Sequence, residues 1–247
     1  MADLESASLG IAILFSAGFG LIAYGARVLD AAGSLLACLL ALLIIHSGGY
    51  LWLFLLIAFV AIGYLVTKMY WTEKREMGVA EGKSGTRGWR NVAANGGVPA
   101  IIAAMTLPAI GAAREDVALG FITAIATASA DTFASELGVL SPRVYLITRP
   151  WSRVQRGVNG GVSNWGHFVA LMGATIASLG GVMLLRVPLD LIWIPIAAGW
   201  VGCQIDSLLG ALFEEDRGRA YGFLTKSDVN FLSIALAAFG VLVLLSL

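Results

Sequence analysis

The sequence predicts an all-α, polytopic membrane protein of about eight transmembrane helices, folded as a single integral membrane domain over residues 1–247. Three observations lead there. Hydrophobic residues make up 58% of the chain and charged residues only 13%, where about a quarter of a soluble domain is charged. Mean hydropathy is +0.84. Apolar runs at 9–26, 33–46, 50–67, 92–111, 117–137, 165–185, 191–211 and 229–247 approach the roughly 20 residues that cross a bilayer as a helix.

The first run follows "MADLESASLG", with Asp3, Glu5 and no Lys or Arg before Arg27. A signal peptide needs a basic start and transit peptides avoid acids, so this run is expected to stay as a helix. The second run is short, and is expected to tilt little, to dip in only partly, or to pair tightly with the third across "HSGGY". The fourth holds Asn95-Gly96-Gly97-Val98-Pro99. Gly-Gly leaves backbone amides unobstructed, and Pro99 suits the first turn of a helix. This stretch reads as a tight turn, with a helix starting near residue 98 and any segment from Trp89 broken there. Asn-Gly-Gly-Val returns at 159–162, where Ser163 or Asn164 can cap the sixth run. Within that run "GATIASLGG" reads as a close-packing face. Cys38 and Cys203 lie in apolar runs with no second ligand at metal spacing, and are expected to be buried and inert.

Charge sets the orientation. Of 16 Lys and Arg, six lie in 68–90, four in 138–164 and three in 212–228, whereas Arg114 and Arg186 stand alone in the alternate turns. The positive-inside rule puts the three basic loops and Arg27 in the cytoplasm and both termini outside, in what is expected to be the cell membrane. Trp71, Trp89 and Trp165 then flank inner helix ends and Trp52 and Trp193 outer ones, as an aromatic belt.

On this frame, polar residues collect just under the inner surface. Asp131, Ser135 and Glu136 end the fifth run, and Asp206 and Ser207 end the seventh. Asn95, Asn159, Asp228 and Asn230 stand at the starts of others. A carboxylate inside a span costs about 3 kcal/mol unless paired, hydrated or bound to a cation. Such groups are therefore functional, or else paired with a cation such as an arginine of a neighbouring loop. Thr127, Asp131 and Ser135 share a helix face, while Glu136 points about 140° away from Asp131. Asp131 with Asp206, from two helices, is the better metal pair, and carboxylates plus phosphate oxygens and waters are how Mg²⁺ is held. The two Asn-Gly-Gly copies would aim helix N-termini at the same layer, an anion-binding arrangement. Lys83, Arg87 and Arg90 precede the first copy, and Arg149, Arg153 and Arg156 the second. Metal plus phosphate is the signature of phosphoryl transfer, which is mostly positioning and charge neutralisation. His167 is a weaker candidate for substrate contact, and His46 reads as a bland interfacial residue. No Ser-His-Asp, HExxH or P-loop pattern is present.

The stretches "GVAEGKSGTRGWRNVAANGGVPA", "ASADTFASELGVLS", "RGVNGGVSNWG", "GCQIDSLLGA" and "DVNFLS" stand in an order and spacing that resembles the transmembrane protein 19 family, over roughly residues 40–247. That family includes the phytyl-phosphate kinase of plant tocopherol synthesis. The resemblance implies a CTP- or UTP-dependent kinase that converts a polyprenyl monophosphate, of geranylgeranyl or phytyl type, to the diphosphate. "SNWGHF" departs from the pattern with a bulky stretch of its own.

On this reading Asp131 and Asp206 hold Mg²⁺, with a nucleoside triphosphate as donor. Asn95, Gly96, Gly97, Asn159, Gly160 and Gly161 cradle phosphates. Ser135, Ser207, Lys83, Arg87, Asp228 and Asn230 add phosphate contacts, and Arg90 and Arg156 neutralise charge. Glu136 orients the acceptor or a second ion. Expected partners are the prenyl monophosphate, CTP or UTP, and membrane lipid, with no nucleic acid. Two rival readings remain: a CTP-dependent lipid cytidylyltransferase, and a membrane transporter of an anionic or phosphorylated solute.

Overall fold

A computed structural model describes residues 2–80, 86–108, 113–215 and 222–247, with side chains from residue 9 onward. Among these residues there are nine α-helices. They are α1 (Ala2–Gly25), α2 (Ala31–Ser47), α3 (Tyr50–Lys68), α4 (Trp71–Glu76), α5 (Trp89–Ala104), α6 (Arg114–Leu137), α7 (Asn164–Leu185), α8 (Trp193–Phe213) and α9 (Lys226–Leu245). Each of the eight apolar runs is a helix, and α4 is an additional short one. Five of the helices are long and apolar enough to cross a membrane. Leu9–Gly25 and Ala31–Ser47 are shorter apolar helices and α5 has 16 residues, so eight is an approximate count of spans.

The core is built around α6. Its apolar side chains Val117, Phe121, Ile122 and Ile125 are fully buried, and α7, α8 and α9 pack along it. Small residues make the approach close. A Cβ on Gly173 of α7 would stand 2.7 Å from Ser129 O, and one on Gly199 of α8 would stand 2.7 Å from Ala126 Cβ. The packing face read from "GATIASLGG" is therefore real, and its partner is α6.

Two expectations are corrected. Asn95-Gly96-Gly97-Val98 is not a turn: it lies inside α5, which runs unbroken through Pro99 from an N-cap at Gly88. Proline removes the bond to the carbonyl four residues back and crowds that carbonyl, yet α5 continues through it, packed against α2, α6 and α9. A Cβ on Gly96 would meet Leu40 of α2 at 3.1 Å, and one on Gly97 would lie 3.7 Å from Phe231 of α9. These glycines serve helix packing. Trp52 is also not a belt residue: it is 3% exposed and its ring lies tilted against Phe121 of α6, centroids 4.7 Å apart.

The second copy does form a turn, set in structure the apolar pattern did not announce. Between α6 and α7 lies a small antiparallel sheet of β1 (Val144–Leu146), β2 (Arg149–Val154) and β3 (Gly161–Val162), ordered β2-β1-β3. Gly161 N–H closes the turn on Val158 O at 2.9 Å, with Gly160 at φ +74°. That conformation favours glycine. Ser163 then caps α7 by accepting from Gly166 N–H at 2.9 Å.

Candidate functional site

A cavity of about 300 Å³ opens where α6 and α8 end and α7 and α9 begin. Helical spacing builds its walls. Asp131, Ala134, Ser135 and Gly138 line it from one face of α6, at i, i+3, i+4 and i+7, and Cys203, Asp206, Ser207 and Gly210 repeat that spacing on α8. The turn adds Gly157, Asn159, Gly160 and Gly161, while Lys226 enters from the first turn of α9. Asp131, Ser135, Glu136, Asn159, Gly160, Gly161, Asp206 and Ser207 are thus gathered in one place, as the sequence indicated.

Both aspartates are held by α9. Asn230 Nδ2 donates to Asp131 Oδ2 at 3.3 Å, and Ser233 Oγ donates to Asp206 Oδ2 at 2.8 Å. Asn230 Oδ1 is buried with no hydrogen-bond partner among the described residues. A buried acceptor left in this way is costly unless a ligand or water meets it. Two carboxylates are hard donors of the kind Mg²⁺ takes, while Asn230 itself does not line the cavity. No group of three or more His, Cys, Asp or Glu among the described residues could make an all-protein cage, so the rest of such a shell would be phosphate and water.

Glu136 has a different task. It is 2% exposed and forms an ion pair with Lys74 of α4, which is fully buried. Lys74 also donates to Thr67 O at the end of α3, at 2.8 Å. This pair pins α4 onto the end of α6. The Lys74 ammonium matches the charge of Glu136, which also lines the cavity. A cation partner of the kind expected for a buried acid is present, and it is a lysine of α4 rather than a loop arginine.

The remaining expected residues fall elsewhere. Asn95 is buried in α5 and donates to Asn91 O at 3.0 Å; it, Gly96 and Gly97 do not line the cavity. Arg90 is exposed over the Trp89 ring. Arg87 Nη2 reaches Thr67 Oγ1 at 3.4 Å, and Arg156 reaches Met77 Sδ. Neither lines the cavity. Asp228 closes a capping box with Thr225, accepting from its N–H at 2.8 Å. Lys83 lies outside the described residues. Asp228→Ala is expected to lower stability by about 1 kcal/mol, seen as a small fall in Tm, and to leave activity unchanged.

Sequence reasoning missed Lys74, Gln204, Glu214 and Lys226, and ranked His167 low. His167 and Gln204 line the cavity, and Trp200 Nε1 donates to His167 O at 3.2 Å. Cys203, read as inert, also lines it. Its spacing of three from Asp206 was the available signal.

The two Asn-Gly-Gly copies differ in tolerance. A Cβ on Gly160 would stand 2.3 Å from Ala211 Cβ and 2.9 Å from Ser207 O. Gly160→Ala is therefore expected to displace the turn from α8 and cut activity at least about tenfold, beyond the 1–2 kcal/mol of left-handed strain. Gly97→Ala meets only ordinary contact and is expected to be neutral or slightly stabilising. Thermal unfolding and activity of the two variants check both statements.

Fold and site together define a polytopic helical membrane protein with an acidic cavity at its basic-loop face. The chain belongs to the family of integral membrane protein DUF92, whose model matches residues 14–238. It is 29% identical to an uncharacterized membrane protein of Methanocaldococcus jannaschii, over 91% of this chain and 89% of that one. It is 27% identical to the Arabidopsis thaliana protein VTE6, chloroplastic, over 95% of this chain and 69% of that one. An uncharacterized membrane protein of Synechocystis is 32% identical over 77% and 71% of the two chains. No solved structure matches.

Proposed function

We propose that this protein is a prenyl-phosphate kinase, transferring the terminal phosphoryl group of CTP or UTP to a polyprenyl monophosphate of geranylgeranyl or phytyl type. One observation carries the reading: Asp131 and Asp206, from two helices, share a cavity with a turn of glycine backbone at the membrane face. The motif resemblance to a family that includes a phytyl-phosphate kinase supports it.

In the transfer, the bond from the donor's γ-phosphorus to its bridging oxygen breaks. A bond to a terminal oxygen of the prenyl phosphate forms, and the nucleoside diphosphate leaves. The acceptor is already ionised, so no strong general base is needed. Asp131 and Asp206 would hold Mg²⁺, which when bound supplies charge neutralisation on the phosphates. Asn230 and Ser233 fix the two carboxylates. The Asn159–Gly161 turn offers phosphate oxygens a surface without bulky side chains. Lys226, inside the cavity, takes the charge-neutralising role first given to Arg90 and Arg156. The prenyl tail stays among apolar helix faces, and the nucleotide arrives from the aqueous side, the cytoplasm on the orientation expected from the charge distribution.

The test is purified protein with Mg²⁺, a panel of nucleotides and a panel of prenyl phosphates, read by mass spectrometry. Prenyl diphosphate and nucleoside diphosphate are the expected products, and neither should form without Mg²⁺. A cytidylylated lipid, or solute uptake into vesicles with no nucleotide consumed, would replace this reading with one of its rivals.

A further inference from the structure

The opposite end of α6 carries a second cavity, of about 700 Å³, between the α2–α3 turn, the start of α6 and the end of α7. It is about 26 Å from Asp131, at 1.5 Å per residue along the helix from Arg114. Arg114 and Arg186, the two basic residues the sequence sets apart from all others, both line it. Distant in sequence, they border one cavity.

Arg114 is held in place. Its Nη2 donates to Gly48 O at 2.7 Å, and its guanidinium lies over the Trp52 ring at 5.9 Å. That uses one of five guanidinium donors. Arg186 ends α7 in the left-handed conformation, at φ 57°. Among the described residues neither arginine has a carboxylate within 4.0 Å. Among the described residues that line the cavity the single carboxylate is Glu115, against the two arginines. The first turn of α6 has no side-chain cap, which adds outward N–H groups at the same end. The other walls are apolar: Leu51, Trp52, Leu184 and Val187.

We propose that this cavity binds the phosphate of a membrane phospholipid in the leaflet opposite the acidic site. Guanidinium groups suit phosphate oxygens, and the apolar wall suits the start of the acyl chains. The site is separate from the kinase reading and does not depend on it.

Native mass spectrometry of the purified protein tests it, with phosphatidylglycerol, phosphatidylcholine and soluble glycerol 1-phosphate as probes. Wild-type protein is expected to keep phosphatidylglycerol adducts, and Arg114→Gln and Arg186→Asn to weaken them about tenfold. Asparagine tolerates the left-handed backbone, so Arg186→Asn remains informative if Arg114→Gln fails to fold. Arg149→Gln, at the other face, should change nothing. Wild-type affinity in Arg186→Asn, an equal loss in Arg149→Gln, or glycerol 1-phosphate binding as well as the lipid would each overturn the proposal. Phosphatidylcholine binding as tightly as phosphatidylglycerol would support the phosphate as the recognised group.

Discussion

Asparagine in place of Asp131 is expected to lower phosphoryl transfer about 10²–10³-fold, the usual scale for losing one preorganised electrostatic contact, while the protein still inserts and folds. The change keeps the side chain's size and its ability to bond Asn230, and removes only the charge. Asp131 and Asp206 reach the cavity from different helices, so neither can take over the other's position. Asp206→Asn is expected to behave alike. Ser233→Ala, which frees Asp206 to rotate, should cost less, about tenfold. The measurement is kcat with saturating nucleotide, beside size-exclusion and thermal profiles. An Asp131→Asn variant with more than half of wild-type activity would end the metal-site reading.

Lys74→Met should be the most damaging substitution for stability. Lys74 is fully buried against Glu136, and removing one partner of a buried pair leaves a lone charge, at a cost of about 3–5 kcal/mol. Adding Glu136→Gln should return much of that loss, because no unmatched charge remains. This double variant separates two roles for Glu136. If the residue only anchors α4, the double variant folds and keeps activity within about tenfold. If it takes part in the chemistry, the double variant folds and is inactive. The first result is expected. Thermal unfolding of the two single variants and the double one gives the coupling directly.

The helices were legible because bilayer length and apolar composition constrain them together. All eight apolar runs are helices, with ends within a few residues for α2, α3, α7 and α8. The cavity was legible because carboxylates inside spans are rare. Asp131 and Asp206 announce themselves, and periodicity supplies Ser135 and Ser207. The first Asn-Gly-Gly misled because local turn preference was read without its neighbours. The same four residues are helical where Leu40 and Phe231 press on them and bent where they follow a strand. The sheet was missed because 138–164 was read for charge alone, although Val144-Tyr145-Leu146-Ile147 and Trp151 have strand chemistry. Lys74 was missed because a loop lysine carries no sign that it will be buried.

The position of α6 bears on how the protein is made. It is the most enclosed of the five long apolar helices and less hydropathic than α3, α7 and α9. Three of the helices that pack on it, α7, α8 and α9, come later in the chain. A nascent α6 would therefore meet lipid or the insertion machinery before α7, α8 and α9 exist, with Asp131 and Thr127 still uncovered on that side. Release into the bilayer as a hairpin with α7 solves that problem. A chain truncated before α7 should then be retained at the translocation site or degraded, while one truncated after α9 should integrate.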